Sequence, residues 1–349
     1  MFDISKIDTN FKIETNFDKP DIKIYNIDSV PFKIYGVFKE NGKYRRIPEA
    51  VAGTVSDGVY SLHTCAAGGR VKFVTDSSYV AIYAKMERIS KMPHFTLTGS
   101  AGFDLYVNNL FAKTYFPPSF DMQDGYEGIF EMSGNELREI TINFPLYSCV
   151  CDLYIGLQES AVIKEPKPYK TEKPIVYYGS SITQGGCASR PGMSYQAIIS
   201  RDFDCDHINL GFSGNARGED EIAEYIKNLD MSVFVLDYDH NSPSTEHLFE
   251  TQRKMFYAVR EKHPDLPVIM MSRPKYHLNA IEKERRDAIE KTYLEAVKSG
   301  DKNVYFLDGK ALTELCKDSG TVDNCHPTDF GFASMAKAVS DVLKQINIF

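Results

Sequence analysis

The chain has 349 residues, 43% hydrophobic and 25% charged, and its 40 Lys and Arg against 48 Asp and Glu give a formal net charge of -8. That length exceeds what one hydrophobic core usually serves and predicts two domains, while the acidic balance excludes a basic nucleic-acid footprint. No apolar run approaches the ~18 residues of a membrane helix, and the seven scattered cysteines lack the second pair a zinc site requires, so they read as reduced and structural, with no metal expected.

The opening "MFDISKIDTNFKIETNFDKP" alternates polar and apolar residues without an apolar h-region, which argues against a secretory signal and for a cytoplasmic protein. Up to about residue 160 the apolar residues recur with a period near two, in "YRRIPEAVAG", "GRVKFVTDSSYVAIYAKM", "FDLYVNNLFAKTYF" and "LREITINFPLY". Turn-forming breaks such as "KENGK", "DSS" and "MSGNE" separate these runs, predicting an antiparallel β-sandwich over residues 1–163 with no strong amphipathic helix. "KEPKPYKTEKP", with three prolines, reads as a linker over 164–174.

From Ile175 the pattern changes. Strand-like "IVYYG", "HINLG", "VFVLDYD", "PVIMMS" and "VYFLD" alternate with the helical stretches "SYQAIISRDF", "EDEIAEYIKNL", "TEHLFETQRKMFYAVREKH", "EKERRDAIEKTYLEAVKS" and "DFGFASMAKAVSDVLKQI". This predicts an α/β domain over 175–349, a parallel sheet between helices. Such sheets bind ligands beyond the carboxyl ends of their strands. The segments to weigh are therefore "GSSITQGG", "GFSGNARG", "DYDHNSP" and "DNCHPTDFG".

"GSSITQGG" could be a phosphate cradle, a plain strand-to-helix connection or the seat of a nucleophile. It has no P-loop lysine, neither Gly-rich turn spells G-x-G-x-x-G, and neither matches the G-x-S-x-G elbow. Ser180 and Ser181 offer hydroxyls that a base could activate, although a serine in this position also caps helices. Asp323 and His326, three residues apart, allow a carboxylate to orient an imidazole. The N–H of Gly214 and the amide of Asn241 are suitable donors for an oxyanion. Taken singly, each has a bland reading as a cap or turn residue.

Ser, Gly, Asn and then Asp-x-x-His, in four blocks, resemble the SGNH hydrolases, the GDSL-type lipases and esterases. The resemblance places the nucleophile at Ser181, with Ser180 where the family usually carries aspartate. It implies a Ser181–His326–Asp323 triad, an oxyanion hole from Ser181 N–H, Gly214 N–H and Asn241, a flavodoxin-like fold, and no cofactor. "GFDLY" at 102–106 is similar to the G-x-D-L-Y signature of the jelly-roll-like sandwich that precedes such a domain in one bacterial subfamily.

The implied reaction is hydrolysis of short-chain, favourably acetyl, esters of a small molecule or saccharide. Gln184, Arg190, Arg217, Tyr238 and His240 are candidate substrate-binding residues on the same loops; the arginines could face an anionic group or serve as solvated or paired charges. The alternatives are a thioesterase or small-metabolite acylhydrolase, and a glycan-binding protein without activity. Neither nucleic acid nor a membrane is an expected partner, and a homo-oligomer is left open.

Overall fold

A computed structural model describes residues 17–171 and 173–348; the first 16 residues of the stretch read for a secretory signal lie outside the described residues. The period-two segments form β1 (Ile22–Asn26), β2 (Lys33–Tyr35), β3 (Phe38–Glu40), β4 (Lys43–Arg45), β5 (Arg70–Thr75), β6 (Tyr79–Arg88), β7 (Phe103–Val107), β8 (Leu110–Tyr115), β9 (Gly125–Glu131), β10 (Arg138–Asn143), β11 (Cys149–Gln158) and β12 (Ile163–Lys164). They pair as two antiparallel sheets, β1-β11-β6-β9 and β12-β5-β10-β7-β8 with β2 alongside β5, while β3 and β4 make a separate hairpin. Alternation decides what is buried: Ile140 and Ile142 of β10 stand opposite Phe73 and Val71 of β5 and meet Val80, Ile82, Leu153 and Ile155 of the facing sheet. "FDLYVNNLFAKTYF" is two strands rather than one. Asn108 and Asn109, at φ of 50° and 65°, make the left-handed pair that a tight hairpin turn requires.

The strand-like reading of "YRRIPEAVAG" fails past Arg45. Pro48, at φ -58°, precedes α1 (Glu49–Val55), and the Ser56 side chain accepts from Val59 N–H to cap α2 (Asp57–Leu62). With α3 (Leu97–Ser100), these helices are too short to show a 3.6-residue period in sequence.

The second half contains β13 (Ile175–Gly179), β14 (His207–Gly211), β15 (Val233–Asp237), β16 (Val268–Met271) and β17 (Val304–Leu307), with α4 (Ser181–Gln184), α5 (Tyr195–Phe203), α6 (Asp220–Lys227), α7 (Thr245–Lys262), α8 (Ala280–Lys298), α9 (Gly309–Leu312) and α10 (Asp329–Ile346). The sheet is parallel in the order β14-β13-β15-β16-β17. This is the flavodoxin-like 2-1-3-4-5 arrangement, whose switch point lies between its first and third strands. The strands read as unbroken apolar runs because both faces are covered. Val176, Tyr178, Phe234, Leu236 and Met270 face α6, α7 and α8, whereas Ile175, Tyr177, Val235, Ile269 and Met271 face α5 and α10.

Both of these cores also take residues from the first half. Ile47, Ala52 and Val59 join the α6–α8 side, and Ala67, Phe95, Leu146 and Tyr147 join the α5–α10 side. Arg46, fully buried, donates to the carbonyls of Asn209 (3.2 Å), Leu62 (2.8 Å) and Gly211, and its guanidinium lies 4.6 Å from the Phe212 ring centre. Such a charge is tolerated because backbone carbonyls and an aromatic face replace water around it.

Candidate active site

At the carboxyl end of β13 the backbone turns sharply at Gly179. A Cβ there would sit 2.1 Å from both Asp237 O and Thr183 Oγ1, so only glycine fits. The two serines that follow divide the work between them. Ser180 caps α4, its Oγ accepting from Ile182 N–H at 3.2 Å and its own N–H donating to Asp237 O at 3.0 Å. Ser181 directs Oγ to within 2.9 Å of His326 Nε2.

The imidazole is held from behind. Asp323 Oδ1 accepts from the backbone N–H of His326 (2.7 Å) and of Cys325 (3.1 Å), while Oδ2 lies 2.7 Å from His326 Nδ1. One carboxylate oxygen thus shapes the loop and the other orients the ring. With Nδ1–H facing the carboxylate, Nε2 keeps the lone pair that accepts from Ser181. Partial burial pushes the Asp323 carboxyl up, but hydrogen bonds and charge from His326 outweigh it and hold the group below its usual value.

Three N–H groups stand on the surrounding turns. Gly214 has φ 72°, a left-handed conformation suited to glycine, and its N–H has no partner among the described residues. Ser181 N–H, in the first turn of α4, has no partner among the described residues, as helix starts leave donors unpaired. Asn241 Nδ2 donates one hydrogen to Phe212 O at 3.0 Å and keeps the other. The Asn241 turn is clamped by two arginines: Arg273 and Arg285 reach Asp239 at 3.0 and 2.7 Å, and Arg285 also donates to Ser242 O at 3.0 Å. Burial pushes the Asp239 carboxyl up, but the hydrogen bonds and charge of Arg273, joined by Arg285, bring it to about 2.

Of the five residues expected to line a substrate pocket, His240 lies beside this constellation. Its Nδ1 is 3.6 Å from Cys325 Sγ, and burial, reinforced by Arg273, lowers its pKa to about 4, so the ring is neutral near pH 7. Cys325 therefore faces His240 rather than Ser181, and burial raises its thiol.

Three of the other four are structural. Gln184 is buried with both ends used, Nε2 donating to Leu146 O (3.2 Å) and Oε1 accepting from Ser213 N–H (3.0 Å). Tyr238 is buried in the core, its hydroxyl 2.7 Å from Thr251 Oγ1. Arg190 donates to Asp104 Oδ2 at 2.9 Å and to the Tyr106 hydroxyl, and lies 3.8 Å from the Phe111 ring centre. Arg217 is exposed on the turn after Gly214.

Asp104, the aspartate of "GFDLY", does not face water. It is fully buried and also accepts from Asn143 Nδ2 and Gly192 N–H, both at 2.8 Å. The motif is an anchor that ties β7 to the loop ahead of α5.

Two neighbours of the site come from the first half and had no local sequence signal. The Tyr147 hydroxyl donates to Ser181 O at 3.1 Å, and the His94 ring centre lies 5.5 Å from that of His326. Only the packing of the two halves brings them there.

Residues 172–344 match the GDSL-like lipase/acylhydrolase family, and residues 22–163 match the N-terminus of SGNH-hydrolase-type esterases. Among solved structures, a chain assigned as a GDSL-like lipase from Bacteroides ovatus ATCC 8483 superposes with TM-score 0.83 at 30% identity, covering 93% of this chain and 98% of that one. A salicylyl-acyltransferase from a tetracycline biosynthetic pathway shares the fold at TM-score 0.76 and 18% identity, over 95% of this chain and 99% of that one. An acetyl xylan esterase from the rumen bacterium Butyrivibrio proteoclasticus shares it at TM-score 0.60 and 11% identity, over 93% and 99%. No curated protein matches. The chain belongs to the GDSL-like lipase/acylhydrolase family: it is an SGNH-type ester hydrolase whose α/β domain follows a G-x-D-L-Y β-sandwich.

Proposed function

We propose that Ser181 is the nucleophile of a short-chain, acetyl-preferring esterase acting on O-acetylated saccharides. The observation that carries this reading is the continuous chain from Ser181 Oγ to His326 Nε2 (2.9 Å) and from His326 Nδ1 to Asp323 Oδ2 (2.7 Å). In the acylation step His326 takes the Ser181 proton as Oγ bonds to the ester carbonyl carbon, and Asp323 stabilises the imidazolium. The oxyanion takes hydrogen bonds from Ser181 N–H, Gly214 N–H and the spare Asn241 amide hydrogen, each worth about 2.7–4 kcal/mol in comparable sites. His326 then returns the proton to the departing alkoxide. Water, deprotonated by the same imidazole, releases the acyl group and restores Ser181.

The acetyl-saccharide part of the proposal draws on the named activities of structural neighbours, among them the acetyl xylan esterase and a family two carbohydrate esterase from Clostridium thermocellum in complex with cellohexaose. Hydrolysis of p-nitrophenyl esters from acetyl to octanoyl tests it, with acetate release from acetylated xylan as the second readout. Ser181→Ala is expected to lower kcat by about 10⁴-fold or more, and wild-type rates to fall beyond butyrate. Equal rates in wild type and variant would remove Ser181 as the nucleophile. Ester cleavage without acetate release from xylan would leave the serine esterase and remove the saccharide.

A further inference from the structure

His94, Cys187 and His326 each place one metal-binding atom within 4.8 Å of the others, and together they join the sandwich half to the loop after α4 and to the loop ahead of α10. We propose that these three residues form an inhibitory site for a zinc-class divalent cation, one that regulates the enzyme by occupying its general base. The inhibitory half of this proposal rests on the triad reading above; the binding half does not.

The chemistry of the donor set selects the ion. Two imidazoles and a thiol suit borderline-soft Zn²⁺ and do not suit Mg²⁺ or Ca²⁺, which take oxygen ligands. Three protein ligands with a fourth position open to water is a familiar zinc arrangement. His326 is already prepared as a ligand. Its Nδ1 is committed to Asp323 at 2.7 Å, leaving the lone pair on Nε2, and a carboxylate behind a histidine is the arrangement that orients imidazoles on metals. Burial, with the Asp323 carboxylate adding to it, pushes the Cys187 thiol up, so an incoming cation has to displace its proton.

Two further features fit. Cys187 has φ 75°, a conformation that residues with side chains rarely adopt, directly after Gly185 and Gly186 and beside the reacting groups. His94 is exposed on the segment between β6 and α3, so it can close the remaining gap: tetrahedral zinc needs its ligand atoms about 3.3–3.7 Å apart. On binding, the Cys187 thiol loses its proton to solvent and forms a metal–sulfur bond, while His94 and His326 donate lone pairs as neutral imidazoles. The Ser181 hydroxyl then has no acceptor, and acylation stops. Nothing is oxidised or reduced.

The test uses the full chain after chelator treatment. Titration with Co²⁺, a spectroscopic substitute for Zn²⁺, is expected to give a thiolate-to-cobalt charge-transfer band in the near ultraviolet. That band should vanish in Cys187→Ser, persist in Cys325→Ser and weaken in His94→Ala. In parallel, micromolar Zn²⁺ is expected to inhibit p-nitrophenyl acetate hydrolysis reversibly, with chelator restoring the rate and millimolar Mg²⁺ or Ca²⁺ having no effect. The inhibitory concentration, measured against each variant's own metal-free rate, should rise roughly tenfold or more in His94→Ala and Cys187→Ser, as expected when a ligand is lost. No cobalt band in wild type, or a band that survives Cys187→Ser, overturns the site even where the esterase reading stands. If Ser181→Ala overturns that reading instead, the cobalt band and its loss in Cys187→Ser still decide the metal site. Equal zinc sensitivity in all variants assigns the inhibition to another place and overturns the proposal.

Discussion

Asn241 shows how a single side chain can hold a turn and, in the proposed mechanism, also take part in the chemistry. One amide hydrogen is used on Phe212 O, which ties the turn after β15 to the turn that carries Gly214. The other is the one that the proposed mechanism assigns to the oxyanion. Asn241→Ala is expected to lower kcat by about 10²–10³-fold while leaving KM within a few-fold, because an oxyanion donor acts mainly in the transition state; a change in KM alone would assign it to substrate binding. Asp237 behaves differently. It is fully buried below the Ser180–Ser181 turn, accepts from Thr183 Oγ1 at 2.9 Å, and burial, with the nearby charge of Asp239 adding to it, raises its carboxyl to about 8. An unfolded aspartate titrates near 3.9. Between about pH 4 and 8 the folded chain therefore binds the proton that the unfolded chain has lost, and stability falls as pH rises through that window. Asp237→Asn carries no such dependence. Its urea midpoint should gain on that of wild type as pH goes from about 4 to 8, and a constant gap would mean that the folded carboxyl is ionised. The residues of the site differ in how far sequence revealed them. Ser181, Gly214 and Asn241 could be found because each follows a strand that announces itself as an apolar run, and Asp323 and His326 because they stand three residues apart just ahead of the last helical stretch. Gln184, Tyr238 and Arg190 share those loops, but which way a loop side chain turns depends on contacts with a distant half of the chain, and no local pattern records that.

At the level of elements, long strands and helices with a clear period were legible, and short ones were not. All five strands of the parallel sheet and the five long helices coincide with apolar runs and 3.6-residue stripes. The seven-residue α1 lies in a run that reads as strand, and the six-residue α2 in a stretch without any clear period, because two turns cannot display one. The "GFDLY" strand was legible as a motif but not as a contact. Asp104 on β7 accepts from Arg190, Gly192 and Asn143 and so joins the sandwich to the segment leading into α5. Asp104→Ala leaves the Arg190 guanidinium, partly covered, without its carboxylate. A buried pair broken on one side costs about 3–5 kcal/mol, so the urea midpoint should drop accordingly. Asp104→Asn, which keeps acceptor capacity, should lose less. Equal losses would mean that charge rather than shape or acceptor capacity holds the junction.

For the whole molecule, the notable property is that the parallel sheet does not complete its own covering. Ile47, Ala52 and Val59 on one side, and Phe95, Leu146 and Tyr147 on the other, are supplied by the first half. Residues 170–349 expressed alone are therefore expected to be insoluble or to lack a cooperative unfolding transition, and co-expression with 1–169 to rescue both solubility and activity. A soluble, fully active fragment would show that the sandwich is dispensable. Composition could predict two halves, but not that they would interlock, since Arg46 on Asn209 O and Tyr147 on Ser181 O are contacts between residues more than thirty positions apart with no shared periodicity.

The buried guanidinium of Arg46, held by carbonyls on β14 and stacked on Phe212, has a practical consequence. It acts as a bolt between two pieces that the chain also joins through 164–174, much of which is exposed. Peptide continuity there is then redundant in the native state: a protease cut within the connecting segment should yield two polypeptides that travel as one particle on a sizing column and still turn over ester, separating only when urea draws the bolt.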